Sequence, residues 1–184
     1  KPVTFGASKI KFTTGTAPAS FDNDLTITDV KWIQLWKDGP KFAEFNVGAA
    51  NNKPEDFGDY FMGPQPDVEI SDSWGDNYNW KTPTEDDFTA LISKCTFEYA
   101  TVGGVNGWMI SGMGDYSSNS IFLPAAGQSS DRKGEGWYWT GSGSTRQRPC
   151  LTIWVSAGTT CKDMSSATAT IKMSIRPVLN ETEE

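Results

Sequence analysis

The chain of 184 residues contains no histidine. That removes Ser-His-Asp and Cys-His nucleophilic catalysis, histidine metal sites and the ordinary general base of neutral pH. Carboxylate chemistry survives, and Glu85, Asp86 and Asp87 place three acids in succession. Successive helical residues do not face one another, so the run does not pair for acid–base work. Behind Thr84 it reads instead as the first turn of a capped helix. Three cysteines occur, Cys95, Cys150 and Cys161, with no CxxC spacing. They make neither a zinc site nor a disulfide framework. Cys150 and Cys161 either pair across neighbouring strands or stay as two free thiols, and both readings remain open. Cys95 reads as a small buried apolar residue on the helix. No cofactor and no metal is expected to be needed for folding; calcium in the acidic loops stays compatible with the composition.

With catalysis thinned out, recognition is the chemistry left. In residues 151–155, Leu151, Ile153 and Val155 alternate with Thr152 and Trp154, so a strand here places the two sets on opposite faces. If the first set is core, Trp154 faces solvent near Arg146 and Arg148. Tryptophan with arginine is the usual composition of a binding hot spot. Thr140, Ser142, Ser144, Arg146, Arg148, Thr152 and Trp154 are therefore the candidate ligand-binding residues, expected on one solvent-facing patch.

The elements that must carry this patch are short. Residues 3–12 and 25–35 alternate polar and apolar and read as strands around a Gly-, Ala- and Pro-rich loop. Residues 42–47 are a further strand candidate, and residues 48–80 read as a long ordered loop region. The spacing predicts a helix at about 84–95, capped by Thr84, with Phe88, Leu91, Ile92 and Cys95 on one apolar face. Residues 96–101 and 108–111 flank Gly-Gly-Val-Asn-Gly, a hairpin signal. Residues 121–123, 137–140, 151–155 and 170–178 complete the strands. Trp36, Trp80 and Trp139 are expected in the core, and Arg176 is expected to reach carboxylates of the acidic loops. The first strand after residue 25 should lie near the 171–178 strand.

The run Phe45-Asn46-Val47-Gly48-Ala49, then Pro54-Glu55-Asp56-Phe57-Gly58-Asp59-Tyr60-Phe61, resembles a block of the Fibrobacter major paralogous domain family of Bacteroidetes surface proteins. The likeness continues through Pro83-Thr84 and the helix, Gly104-Val105-Asn106-Gly107, and Asn119-Ser120-Ile121-Phe122-Leu123-Pro124-Ala125-Ala126-Gly127. It closes with Gly136-Trp137-Tyr138-Trp139 and Ser174-Ile175-Arg176-Pro177-Val178, covering about residues 36–178. The resemblance implies a C-type-lectin-like α+β domain of short antiparallel strands, one clear helix and long ordered loops. It is also similar to the variable proteins of diversity-generating retroelements, in which a C-terminal stretch displays the ligand face; here the fitting stretch is 140–170. Gln65-Pro66-Asp67 mimics the sugar-binding tripeptide of calcium-dependent lectins, but the companion Trp-Asn-Asp is missing, and an ordinary turn explains it.

The expected organisation is an N-terminal strand pair or stalk at 1–30, the lectin-like domain at 31–180, and an acidic tail at 181–184. The net charge of −7 argues against nucleic acid, although residues 137–180 hold Arg146, Arg148, Lys162, Lys172 and Arg176 against Asp163. No run approaches the length of a membrane span. The expected function is a non-enzymatic ligand- or receptor-binding module, of adhesin or receptor-binding-tip type, secreted, on a cell surface or on a phage particle. Its expected partner is a protein receptor or a glycan on another surface. The alternatives are a structural surface or pilus subunit, or a formylglycine-generating-like enzyme of the same fold that would use Cys150 and Cys161.

Overall fold

A capped helix and two tight hairpins organise the chain, and each follows from local sequence. The computed structural model describes residues 32–63, 80–129, 131–143 and 146–179. Helix α1 (Glu85–Lys94) starts at a capping box: Thr84 Oγ1 accepts from the Asp87 amide at 3.1 Å, and the Asp87 carboxylate accepts from the Thr84 amide at 2.8 Å. Two orphan N–H groups are satisfied reciprocally, and the acids of the first turn suit the helix dipole. Phe88 and Leu91 are fully buried, and Cys95 closes the helix from the buried side.

Strands β5 (Thr96–Val102) and β6 (Val105–Ser111) form a hairpin, and β7 (Ser120–Pro124) pairs on the far side of β6. The turn is only Gly103-Gly104, both at positive φ (55° and 84°). That conformation is the one a two-residue hairpin needs, and glycine enters it without steric cost. Val105 and Asn106, expected in the turn, belong to the strand.

A second three-stranded sheet runs β10 (Thr159–Thr168), β9 (Gln147–Ser156), β8 (Gly136–Trp139), all antiparallel. The β9–β10 hairpin pairs ten residues on each side about Ala157-Gly158, again at positive φ (48° and 78°). Strand β10 has no counterpart among the expected strands. Its sequence is small and polar, and it is ordered by pairing along β9.

The remaining strands are short. A four-stranded sheet has the order β1 (Trp32–Gln34), β2 (Lys41–Ala43), β12 (Val178–Leu179), β4 (Trp80–Lys81). So β2, and not the first described strand β1, pairs with the closing strand, while β1 shares its sheet. Strand β3 (Phe61–Met62) pairs with β11 (Lys172–Met173). The expected single strand at 170–178 is thus two short strands in different sheets, and the one at 42–47 stops at Ala43.

The architecture is α+β: mostly antiparallel strands in several small sheets with one α-helix among the described residues. The main core gathers Leu35, Trp36, Phe42, Phe88, Leu91, Trp108, Tyr138, Leu151 and Ile153 among others. A second cluster, Val47, Trp139, Cys150, Ala167, Met173 and Ile175, covers part of the opposite face of the β8–β10 sheet. Ala43, Phe45 and Trp80 form a third. Trp36, Trp80 and Trp139 are buried as expected. Among the described residues no helix is long and apolar enough to cross a membrane. Residues 1–30, the tripeptide Gln65-Pro66-Asp67 and the tail at 181–184 lie outside the described residues.

Candidate functional site

The alternation of β9 settles which side chains face which layer. Leu151 and Ile153 are fully buried in the main core, but Val155, expected with them, is 42% exposed beside the hairpin turn; Thr152 and Trp154 project from the other face of the sheet. Trp154 is half-buried and joins none of the three apolar clusters. It lies opposite Cys161 on β10. Two residues back, Thr152 lies opposite Asp163 on β10 and Trp137 on β8. Cross-strand neighbours on one face are close enough to act together, so this end of the sheet presents Trp137, Trp154, Cys161 and Asp163 as one surface.

The seven expected residues do not form one solvent-facing patch. Thr140 is fully buried, donating its hydroxyl to the Pro149 carbonyl at 2.9 Å. Thr152 is 6% exposed and donates to the Asp163 carbonyl at 3.1 Å. Both are corrected to structural roles, because a buried hydroxyl must find a partner and these two hold strand ends and strand pairs together. Ser142 accepts from the Glu85 amide at 2.9 Å, serving another orphan N–H of the helix start. Arg148 is tied back to the Gly143 carbonyl. Arg146 is exposed at the base of the hairpin, and Ser144 lies outside the described residues.

Arg148 also stands far from Trp154. They stand six positions apart along the strand, roughly 20 Å, and between them Cys150 and Thr152 are buried. The site therefore contracts from a Trp/Arg stretch to a Trp-centred end of the sheet. Of its aromatics, Trp137 is already engaged. Its indole N–H donates to Glu135 at 2.7 Å, and Arg132 sits 5.7 Å over its ring. Trp154 is the aromatic left for a partner. Cys161 and Asp163 were missed because the small, polar β10 sequence gave no strand signal.

All three cysteines are free. Cys150 lies opposite Ser165 and Cys161 opposite Trp154, four positions apart along β10, too far for the short Cα separation a disulfide requires. Burial pushes the Cys150 thiol up to about 12, and burial pushes Cys95 up to about 11 against the lowering pull of Lys162. Neither is a reactive thiolate at neutral pH. Among the described residues no group of His, Cys, Asp and Glu is placed to hold a metal.

Arg176 is fully buried, and its partners are not the expected carboxylates. It donates to Asn46 Oδ1 (2.8 Å) and to the carbonyls of Ala43 (3.2 Å), Glu44 (2.6 Å) and Phe122 (2.9 Å). Burial lowers its pKa to about 10, with Tyr138 and then Glu44 pulling it back up. The cage joins the 43–46 segment, β7 and the closing segment at one point.

Fold and surface together define an α+β domain of small antiparallel sheets with a partly exposed tryptophan on one sheet face. Compared with protein-family models, curated proteins and solved structures, the chain matches none.

Proposed function

We propose that this chain is a non-enzymatic binding module that contacts its partner through the Trp154 end of the β8–β10 sheet. One observation carries the reading. Trp154 is only partly buried and lies outside every apolar cluster, while its strand neighbours Leu151 and Ile153 are locked in the core. A rigid strand with a partly exposed aromatic and polar neighbours is the arrangement of a hot spot within a polar surround. The resemblance to the C-type-lectin-like surface family, and to retroelement variable proteins, supports the same reading. It adds a protein receptor or glycan as partner and a secreted, cell-surface or phage-particle location. Under this reading, variation among sibling chains would fall on Trp154, Cys161, Asp163 and their face-mates, and spare Thr140, Cys150 and Thr152.

The test is a binding screen of the labelled chain against arrayed glycans and extracellular proteins, repeated with Trp154→Ala. The expected loss of affinity is about 2 kcal/mol or more, with the melting temperature moving little because the side chain joins no cluster. A partner bound equally well by Trp154→Ala would place the contact surface elsewhere.

A second reading, a structural surface subunit, is favoured by β10, a ten-residue strand at the edge of its sheet. An edge of that length offers backbone groups to another chain. Concentration-dependent assembly in sedimentation, abolished by a proline in β10, would establish it. The formylglycine-generating-like alternative draws no support from two cysteines four positions out of register.

A further inference from the structure

Beside the Gly103-Gly104 turn lies a groove of about 390 Å³, within the size range of small-ligand sites. Phe57 and Tyr60 wall one side, and Ala125 and Ala126 contribute buried apolar surface. Phe57 is held there deliberately. Its carbonyl accepts from Asn46 Nδ2 (3.0 Å) and Ser174 Oγ (2.9 Å), two fully buried side chains, and the next amide, Gly58, donates to Asp56 at 2.8 Å. Yet the ring is 38% exposed and belongs to no apolar cluster. Tyr60 donates its hydroxyl to the Ala126 carbonyl at 2.6 Å, so the phenol oxygen is occupied and the ring remains as surface.

The one charged side chain lining this groove is a cation. Lys133 is exposed and has no ion pair among the described residues, while its neighbours Arg132 and Glu135 approach each other at 3.9 Å. Asn106 Oδ1 accepts from Thr101 Oγ1 at 2.7 Å, which leaves its NH₂ as the free function. Gln128 adds an amide, and no carboxylate is among the lining residues. Glu55 lies against Gly103 and is not among the lining residues. The walls are loops, the Gly103-Gly104 turn and the first two residues of β6, Val105 and Asn106.

We infer that this groove binds a small organic acid, an apolar or aromatic body against Phe57 and Tyr60 with its carboxylate toward Lys133 and the Asn106 amide. The aromatic walls gain from covering, because apolar area removed from water is stabilising. The exposed ammonium contributes selectivity and a salt-sensitive part of the affinity.

The experiment is an NMR titration of the full chain with 3-phenylpropionate and, separately, its primary amide. The acid is expected to bind in the millimolar range, about fivefold tighter than the amide, the effect of one exposed charge pair. Lys133→Ala should erase the preference without changing the fold, since its side chain is solvent-exposed. Phe57→Ala should weaken both probes about tenfold, the loss of one covered aromatic face. Salt of about 1 M should weaken only the acid. Trp154→Ala should change nothing here, so this site stands or falls independently of the sheet face. Equal binding of acid and amide, no saturable binding of either, or an intact preference in Lys133→Ala would overturn the assignment.

Discussion

Replacing Arg176 by alanine is expected to cost about 4 kcal/mol of stability. The guanidinium makes four hydrogen bonds to Asn46, Ala43, Glu44 and Phe122, and bonds to a charged group contribute about 1.5–3 kcal/mol each. The gross figure is roughly 6–12 kcal/mol. Against it stands the cost of burying the cation, visible in a pKa lowered to about 10, which takes back several kcal/mol. Water entering the vacated space can serve some of the orphaned acceptors, which brings the expectation to the low end of the remaining range. For a chain of this size the melting temperature should fall by roughly 8–16 °C. Lysine should recover only part of this, because a compact ammonium with three donors cannot span four acceptors set by a planar fork. Urea titration followed by tryptophan fluorescence, paired with calorimetry, measures both variants. The loss should also reach Phe57, since Asn46 accepts from Arg176 and donates to the Phe57 carbonyl. A loss under about 1 kcal/mol, or a lysine variant as stable as the native chain, would refute the view that the cage is built for guanidinium.

Thiol labelling at neutral pH should modify Cys161 alone in the folded chain and all three cysteines in denaturant. Rapid labelling of Cys150 under native conditions would contradict its burial. Thr84→Ala should destabilise by about 1–2 kcal/mol in thermal melts, because it removes half of a capping box, and Asp87→Ala should show a similar loss that is not additive with it. On the alkaline side, Cys95 and Cys150 titrate higher in the folded chain than their ordinary value of 9.0. Folding therefore retains protons that the unfolded chain releases, and this stability is complete below pH 9 and lost as pH rises through about 11 and 12. Burial raises Tyr60 and Tyr138 in the same direction, whereas the lowered pKa of Arg176 returns some stability above about pH 10. The melting temperature should be flat just below pH 9 and decline above it; a rise there would reverse the sign and sink this accounting.

Helix α1 was legible because its signals are local: a cap, acids in the first turn and apolar residues at helical spacing. The β5–β6 hairpin was legible for the same reason, and the turn proved shorter than its glycine-rich sequence suggested because two residues at positive φ suffice. Strand β10 was not legible. Thr159–Thr168 is small and polar, and its strand character comes from a backbone ladder to β9 that no side-chain pattern announces. The groove was equally hidden, since Phe57, Asn106 and Lys133 line one groove only when two loops converge on the start of β6.

The candidate face shows where sequence ends and tertiary structure begins. Alternation in residues 151–155 set Leu151, Ile153 and Val155 on one face and Thr152 and Trp154 on the other, as strand geometry requires, but only Leu151 and Ile153 of the first set are core, and Val155 is exposed. What lands on the other side is a separate question. Val47, Met173 and Ile175 come from distant segments and cover the sheet around Trp139 and Cys150, and Thr152 beyond them is buried as well. Period two states which way a side chain points, while its exposure depends on what the rest of the chain lays over it. Arg176 follows the same logic: its placement opposite apolar neighbours was readable, but its partners were decided by three segments folding onto one point, where carbonyls stood closer than any carboxylate.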